Sequence, residues 1–414
     1  MHVNHRPLLT YENKILALMS LTFGFVMFDR LALNMLLPFI APELGLNNTQ
    51  IGLLASGLGL AWAVSGYVVA RVADRQQRRK QWFVASVLLF SLASVSSGLA
   101  TSFVILLATR ICLGLAEGPV LPLAQTIMAA ESSEHRRGFN LGLLQNLSSS
   151  VLGNLLAPVV LVWLATAFSW RNAFFIASLP GLLLALLCAR TLREPAMPPR
   201  AHAGDAPAPG VRQLLANRNM VQSTVIACAM VSWLILQLIF LPIYLTKARG
   251  MAAQDMGMLL SLAAISSVIA AVFVSKLSDM IGRRTTLIVF SLLGMVGPLG
   301  VVYLDASVGT LVVPLFIGYL ACGCLPQAAA TVPSESVPPH MLATAVAFAV
   351  GTAEIVGGFV APLVAGAAGD AISASAPLLI AAGAAFLSAC TAFFLHESAP
   401  LKLARMQRKQ SLPA

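Results

Sequence analysis

Residues 15–41 read ILALMSLTFGFVMFDRLALNMLLPFIA. At a rise of about 1.5 Å per residue, one helix of this length crosses a hydrocarbon core of about 30 Å. Asp29 and Arg30 sit near its middle. A second apolar run, residues 103–130, contains Arg110 and Glu117. A charge at the bilayer centre costs roughly 2.5–3.5 kcal/mol on insertion scales, so four facing lipid would cost on the order of 10 kcal/mol. They are tolerable where they face one another, or water, inside a helix bundle. Such a cluster marks a path for a charged solute, a proton, or both.

The rest of the chain has the same character. Of 414 residues, 58% are hydrophobic and 10% charged, against about 25% charged in soluble domains. The apolar runs are long and lack strand-like alternation, which implies membrane helices rather than a barrel. Spans are predicted at 14–41, 51–71, 82–100, 103–130, 139–168 and 172–191, then at 220–247, 255–277, 286–304, 310–332, 341–368 and 377–396. Between the two sets, residues 192–219 hold Glu194-Pro195, Pro198-Pro199 and Ala206-Pro207-Ala208-Pro209-Gly210, the composition of a linker. Within it, Val211–Asn217 is expected to form a short interfacial helix. The domains expected are therefore 1–191 and 220–396, six helices each, with a cytoplasmic linker at 192–219 and a basic cytoplasmic tail at 397–414.

The halves repeat. Pro38, Pro122 and Pro158 recur as Pro242, Pro326 and Pro362, each 204 residues on, as do Gly114 and Gly153 as Gly318 and Gly357. Gly52 and Asp74 recur as Gly257 and Asp279 at a spacing of 205, which a one-residue loop insertion explains. Parallel repeats predict two pseudo-symmetric bundles related by an axis along the membrane normal, with a site between them near the midplane.

The net charge of +10 does not point to nucleic acid. When Lys and Arg are assigned to alternate sides of the twelve spans, 21 of 26 fall on one side: Arg6 and Lys14, the five from Arg71 to Lys80, Arg136 and Arg137, the five from Arg190 to Arg218, the three from Lys276 to Arg284, and the four from Lys402 to Lys409. The positive-inside rule then places both termini in the cytoplasm, with the basic excess facing anionic lipid of the cell (inner) membrane. The first apolar run is too long for a cleavable signal, and it carries Asp29 and Arg30. The six cysteines all lie in apolar runs and read neither as disulfides nor as a metal site. No nucleophile–base pair or nucleotide-binding loop is visible, so neither an enzyme nor a cofactor is expected. A monomer is expected.

Two loops carry an acid followed by basic residues: Asp74-Arg75-Gln76-Gln77-Arg78-Arg79 and Asp279-Met280-Ile281-Gly282-Arg283-Arg284. The pattern resembles the loop signature of the major facilitator superfamily, Gly-x-x-x-Asp-Arg-x-Gly-Arg-Arg. Ala70 and Gln77 depart from it in the first copy, and Ser275 and Met280 in the second. The resemblance implies a twelve-helix fold working by alternating access. It also implies a cytoplasmic gate at Asp74 and Arg75, with Asp279 and Arg283 in the second copy. A narrower resemblance rests on Phe28-Asp29-Arg30-Leu31-Ala32-Leu33-Asn34 and on Arg110 through Glu117-Gly118-Pro119 to Pro122. Both segments look like the anion:cation symporter family of galactonate- and phthalate-type transporters, where such residues handle protons and an organic anion. The spacings also occur in Spinster-type lysolipid transporters, which come second.

The residues argue the same chemistry by themselves. Arg110 and Glu117 are seven apart, close to two turns, so they share one helix face. Guanidinium suits bidentate carboxylate recognition and stays charged. A carboxyl group whose arginine partner is taken by substrate should hold its proton more tightly. The sequence thus predicts proton sites at Asp29, Glu117 and Glu354. Anion contacts are predicted from Arg30 and Arg110, and neutral contacts from Asn34, Gln237, Tyr244 and Gln327. Asp29 is expected to face Arg110, and Arg30 to face Glu117 or water. The spacing of 204 aligns Asp29, Arg110 and Glu117 with Trp233, Pro314 and Ala321, so the ionisable chemistry belongs to the first half. The function expected is proton-coupled transport of a small organic anion, with lysolipid transport or a non-transporting receptor as alternatives.

Overall fold

The computed structural model describes residues 10–133, 136–195, 211–304, 307–338 and 341–399. Among them are twelve helices long and apolar enough to cross a membrane. They are Tyr11–Glu43 (α1), Asn48–Ala73 (α2), Arg79–Gly98 (α3), Phe103–Glu131 (α4), Phe139–Ala167 (α5) and Trp170–Thr191 (α6), then Arg218–Ala248 (α7), Ala253–Ile281 (α8), Arg283–Tyr303 (α9), Gly309–Ser336 (α10), Thr344–Ala371 (α11) and Ala376–Phe393 (α12). The helical turn expected in the linker is present at Val211–Ala216. The fold is all-α and membrane-spanning.

The chain forms two compact units. One takes the residues up to Leu44 together with Gly57–Ala203, and the other takes Gly45–Ser56 and the residues from Gly204 onward. The core of the first unit joins Ile15, Met19, Phe23 and Val26 of α1 to Phe83, Val87 and Phe90 of α3, and these to Leu113, Val120, Leu123 and Ile127 of α4. In the second unit, Asp370 of α11 caps the start of α2. Its carboxylate accepts from the backbone N–H and side-chain amide of Asn48 (both 2.9 Å), and from the N–H and hydroxyl of Thr49 (2.8 and 2.6 Å). These bonds satisfy orphan donors at the first turn of α2.

Several helices widen locally beside proline. The N–H groups of Ala157, Val332 and Ala361, each one residue before a proline, reach back five residues to Leu152, Gln327 and Val356. Proline has no N–H to offer the carbonyl four residues back, so the ladder slips to π-type spacing there. The matched prolines of the repeat thus produce matched wide turns in α5 and α11.

The acid-plus-basic loops differ in a way the sequence spacing foreshadows. Asp74 and Asp279 are 205 apart, whereas α3 and α9 begin 204 apart at Arg79 and Arg283. The first copy therefore carries one extra residue, Arg78, just before its helix. Gln77 adopts a left-handed backbone (φ 53°) where the second copy has Gly282 at φ 101°. The glutamine tolerates at some cost what glycine adopts freely.

Close helix approach in the first unit rests on Gly114 and Gly118 of α4. A Cβ at Gly114 would strike the backbone of Leu58 and Trp62, and one at Gly118 would strike Trp62 and Ser65 of α2. Gly118→Leu should therefore lower stability by about 1–3 kcal/mol through overpacking. A melting curve of the purified variant matching wild type would contradict this packing.

Candidate functional site

The first unit gathers the four ionisable residues of α1 and α4. Asp29, Arg110 and Glu117 are each at most 2% exposed. Consecutive residues point about 100° apart on a helix, and Asp29 and Arg30 do diverge. Asp29 turns toward α3, where the Ser94 hydroxyl donates to its Oδ1. Arg30, half-buried, lies over the Trp62 ring of α2 at 5.0 Å. Arg110 donates from Nη2 to the Ser97 hydroxyl of α3, and its guanidinium lies 5.2 Å from the centre of the Phe174 ring of α6. Such cation–π contacts contribute about 0.5–2 kcal/mol each and leave the in-plane N–H groups free.

Asp29 and Arg110 lie within electrostatic reach of each other without an ion pair, and each makes a serine contact. Ser94 and Ser97 lie one turn apart on the same face of α3, so each charged group finds a hydroxyl. Several polar atoms have no hydrogen-bond partner among the described residues: Asp29 Oδ2, both Glu117 carboxylate oxygens, and Arg110 Nε and Nη1. Asp29, Arg30 and Arg110 all lie within electrostatic reach of Glu117. Glu117 also ends the first helical segment of α4, Phe103–Glu117, before the Gly118-Pro119 step and the second segment, Val120–Glu131. Interrupted helices inside a membrane are tolerated where they are buried in protein or line a cavity. The cluster thus offers a cation with free forked donors and two buried carboxyl groups, the equipment to hold an anion and to carry protons.

In the second unit the equivalent place is filled by packing. Trp233, aligned with Asp29, is fully buried, donates from Nε1 to Gly294 O at 2.7 Å, and meets the Tyr319 ring edge-on at 6.0 Å. Ala321, aligned with Glu117, sits against the same Gly294. The neutral polar residues divide. Gln327 accepts from Ser278 (2.8 Å) and donates to the carbonyls of Gly323 (3.1 Å) and Val274 (3.4 Å), so its amide is engaged by its own unit. Gln237 is 1% exposed, and neither of its amide atoms has a partner among the described residues. Tyr244 and Glu354 are half-buried and open the wide turns Tyr244–Ala248 and Glu354–Val360. Asn34 is half-buried on α1.

The second-copy loop is a tight ionic knot. Arg283 pairs with Asp279 (2.6 Å) and Glu335 (2.9 Å), and it donates to the Ser278 hydroxyl at 3.0 Å. Its backbone N–H donates to Glu397 at 2.8 Å. Since Ser278 in turn donates to Gln327, one hydrogen-bond chain links the loop to the interior of the same unit. In the first copy Arg75 is exposed, and the Asp74 side chain lies outside the described residues.

Comparison with known proteins places this architecture. The family model of the Major Facilitator Superfamily matches residues 19–360 and again 238–413. A probable 4-methylmuconolactone transporter of Cupriavidus pinatubonensis is 28% identical over 338 residues, which is 80% of this chain and 78% of the relative. A hexuronate transporter of Bacillus subtilis is 28% identical over 268 residues, 62% of each chain. Among solved structures, a bacterial homologue of the human lysosomal transporter Spinster superposes with a TM-score of 0.76 at 19% identity. That match covers 94% of this chain and 95% of the other, and it speaks for the fold alone. Twelve apolar helices in the described residues, repeated halves and a family match spanning most of the length lead to one conclusion: the chain is a multi-pass membrane transporter and belongs to the major facilitator superfamily.

Proposed function

We propose that this transporter moves a small organic anion together with protons across the cell membrane by alternating access, with both termini in the cytoplasm. The observation that carries the reading is the set of buried, unpartnered atoms in the first unit: the free edge of Arg110, Asp29 Oδ2 and the Glu117 carboxylate, on groups within electrostatic reach of one another. A static buried ion-pair network would be expected to join its charges directly, since leaving them unpaired is costly. Here no ion pair within 4 Å joins these groups among the described residues. In this reading Arg110 and Arg30 take the anion, and Asp29 and Glu117 take protons. Glu354 is a further proton site, while Asn34, Gln237 and Tyr244 contact the neutral part of the substrate. Gln327 would have to release Ser278 to join them, so Gln237 is the stronger of the two glutamines. Asp74 and Arg75, with Asp279 and Arg283, act as the cytoplasmic gate. The relative named for hexuronate supports an acid anion as substrate.

A thermal-shift screen of carboxylates against lysolipids tests the substrate class. A ligand that binds only the folded state stabilises by about 2.7 kcal/mol at a hundredfold excess over Kd. Sugar acids or aromatic acids should raise the melting temperature of wild type and not that of Arg110→Ala. Stabilisation by lysolipids with no response to any carboxylate would overturn the reading in favour of an amphiphile carrier.

A further inference from the structure

Ser94 and Ser97 are both fully buried on α3, and each touches one member of the charged cluster. Their hydroxyl protons are committed differently. Ser97 donates to the Ala93 carbonyl one turn back at 3.0 Å, which leaves only its lone pairs for Arg110. It is therefore a fixed acceptor, matched to a group that is always charged. Ser94 gives its proton to Asp29 instead of to the backbone. A serine hydroxyl can donate to a carboxylate, or it can turn and accept from a carboxylic acid while donating to the carbonyl four residues back. Ser91, one turn earlier on α3, takes that backbone bond to Val87 O at 2.9 Å.

We infer that Ser94 is the positioning residue that lets Asp29 change its protonation state while its Oδ1 keeps a hydrogen-bond partner, and that Ser97 holds Arg110 with one forked edge free for the anion. Guanidinium presents five N–H groups, and Nη2 contributes one to each of its two forked edges. Committing a single Nη2 hydrogen to Ser97 leaves the other edge intact, in keeping with the unpartnered Nε and Nη1. The charged groups acting electrostatically with Asp29 are Arg110 and Glu117, both from α4. Arg30, next to Asp29 on α1, points away over Trp62 of α2. Among the described residues, α3, α5 and α6 add no further charge to this group. Ser94 is thus the neutral contact through which Asp29 is tuned.

The transport consequence rests on the proton-coupled reading above, but the effect of Ser94 on Asp29 is measurable without substrate. Infrared difference spectra of the purified protein over a pH series report the carboxylic C=O band, assigned to Asp29 by its loss in Asp29→Asn. Ser94→Ala should move the midpoint of that band to higher pH by about one unit or more, because the donor to the charged form is gone. Ser94→Thr, which keeps the hydroxyl, should restore the wild-type midpoint and also serves if the alanine variant folds poorly. Ser97→Ala should leave the midpoint within a few tenths of a unit and weaken carboxylate binding severalfold in the thermal-shift assay. An Asp29 band that does not titrate, or one that shifts equally in Ser94→Ala and Ser97→Ala, overturns the inference. Failure of wild type to bind any carboxylate, with the Ser94-specific shift intact, would count against the substrate reading alone.

Discussion

Arg110→Lys should raise the substrate concentration needed for half-maximal uptake at least about tenfold, a loss of about 1.4 kcal/mol. Lysine keeps the positive charge but lacks the planar fork, and an ammonium cannot both accept the Phe174 ring face and present two parallel N–H groups to a carboxylate. The Ser97 contact depends on the same geometry. The change is also milder for the fold than Arg110→Ala, which would remove the Ser97 and Phe174 contacts and the cation within electrostatic reach of two buried carboxyl groups. Uptake kinetics in proteoliposomes, read beside the melting temperature, separate the two effects. A folded Arg110→Lys protein with unchanged affinity would remove Arg110 from the anion site.

Glu117→Gln should abolish uptake driven by a pH gradient while leaving exchange of internal for external substrate partly intact. Glutamine has nearly the shape of a protonated glutamic acid but cannot release a proton. Glu117 ends a helical segment at the Gly118-Pro119 step, and both of its carboxylate oxygens are buried and without protein partners, so few packing contacts depend on its charge. A carrier fixed in the protonated form can still shuttle between loaded states, whereas net transport needs the empty carrier to lose its proton. If the folded variant loses both activities, Glu117 binds substrate or braces the helix instead.

Much of this architecture is legible in the residues because a membrane leaves few choices. A run long and apolar enough to cross it must be a helix, so the predicted 139–168 and the observed Phe139–Ala167 agree within a residue. The tenth span, expected to end at 332, runs to Ser336, because the wide turn before Pro333 accommodates its missing N–H and the helix continues through it. The charged members of the site are legible for the same energetic reason: Asp29 or Glu117 in an apolar run needs an explanation. Serine needs none. Ser94 and Ser97 lie in a helix that also carries Ser86, Ser91 and Ser96, and a serine in an apolar helix can bond its own backbone, as Ser91 does. The weak signal was the spacing Ser91-x-x-Ser94-x-x-Ser97, a polar stripe on one face. Partners distant in sequence were equally hidden. Nothing local announces that Gln327 binds Ser278, or that Asp370 caps the first turn of α2 more than 300 residues away. The grouping of Gly45–Ser56 with the second unit follows from that cap and from Gly52 and Gly366, which admit close backbone contact between α2 and α11.

In the proposed function, anion and proton move together through the buried cluster of the first unit. This coupling is tested most directly by recording internal pH with a trapped dye in proteoliposomes while a carboxylate identified by thermal shift is added outside, with no imposed gradient. The lumen should acidify in step with substrate uptake for wild type, and not for Glu117→Gln even where exchange persists. Substrate uptake by wild type with no movement of protons would contradict it.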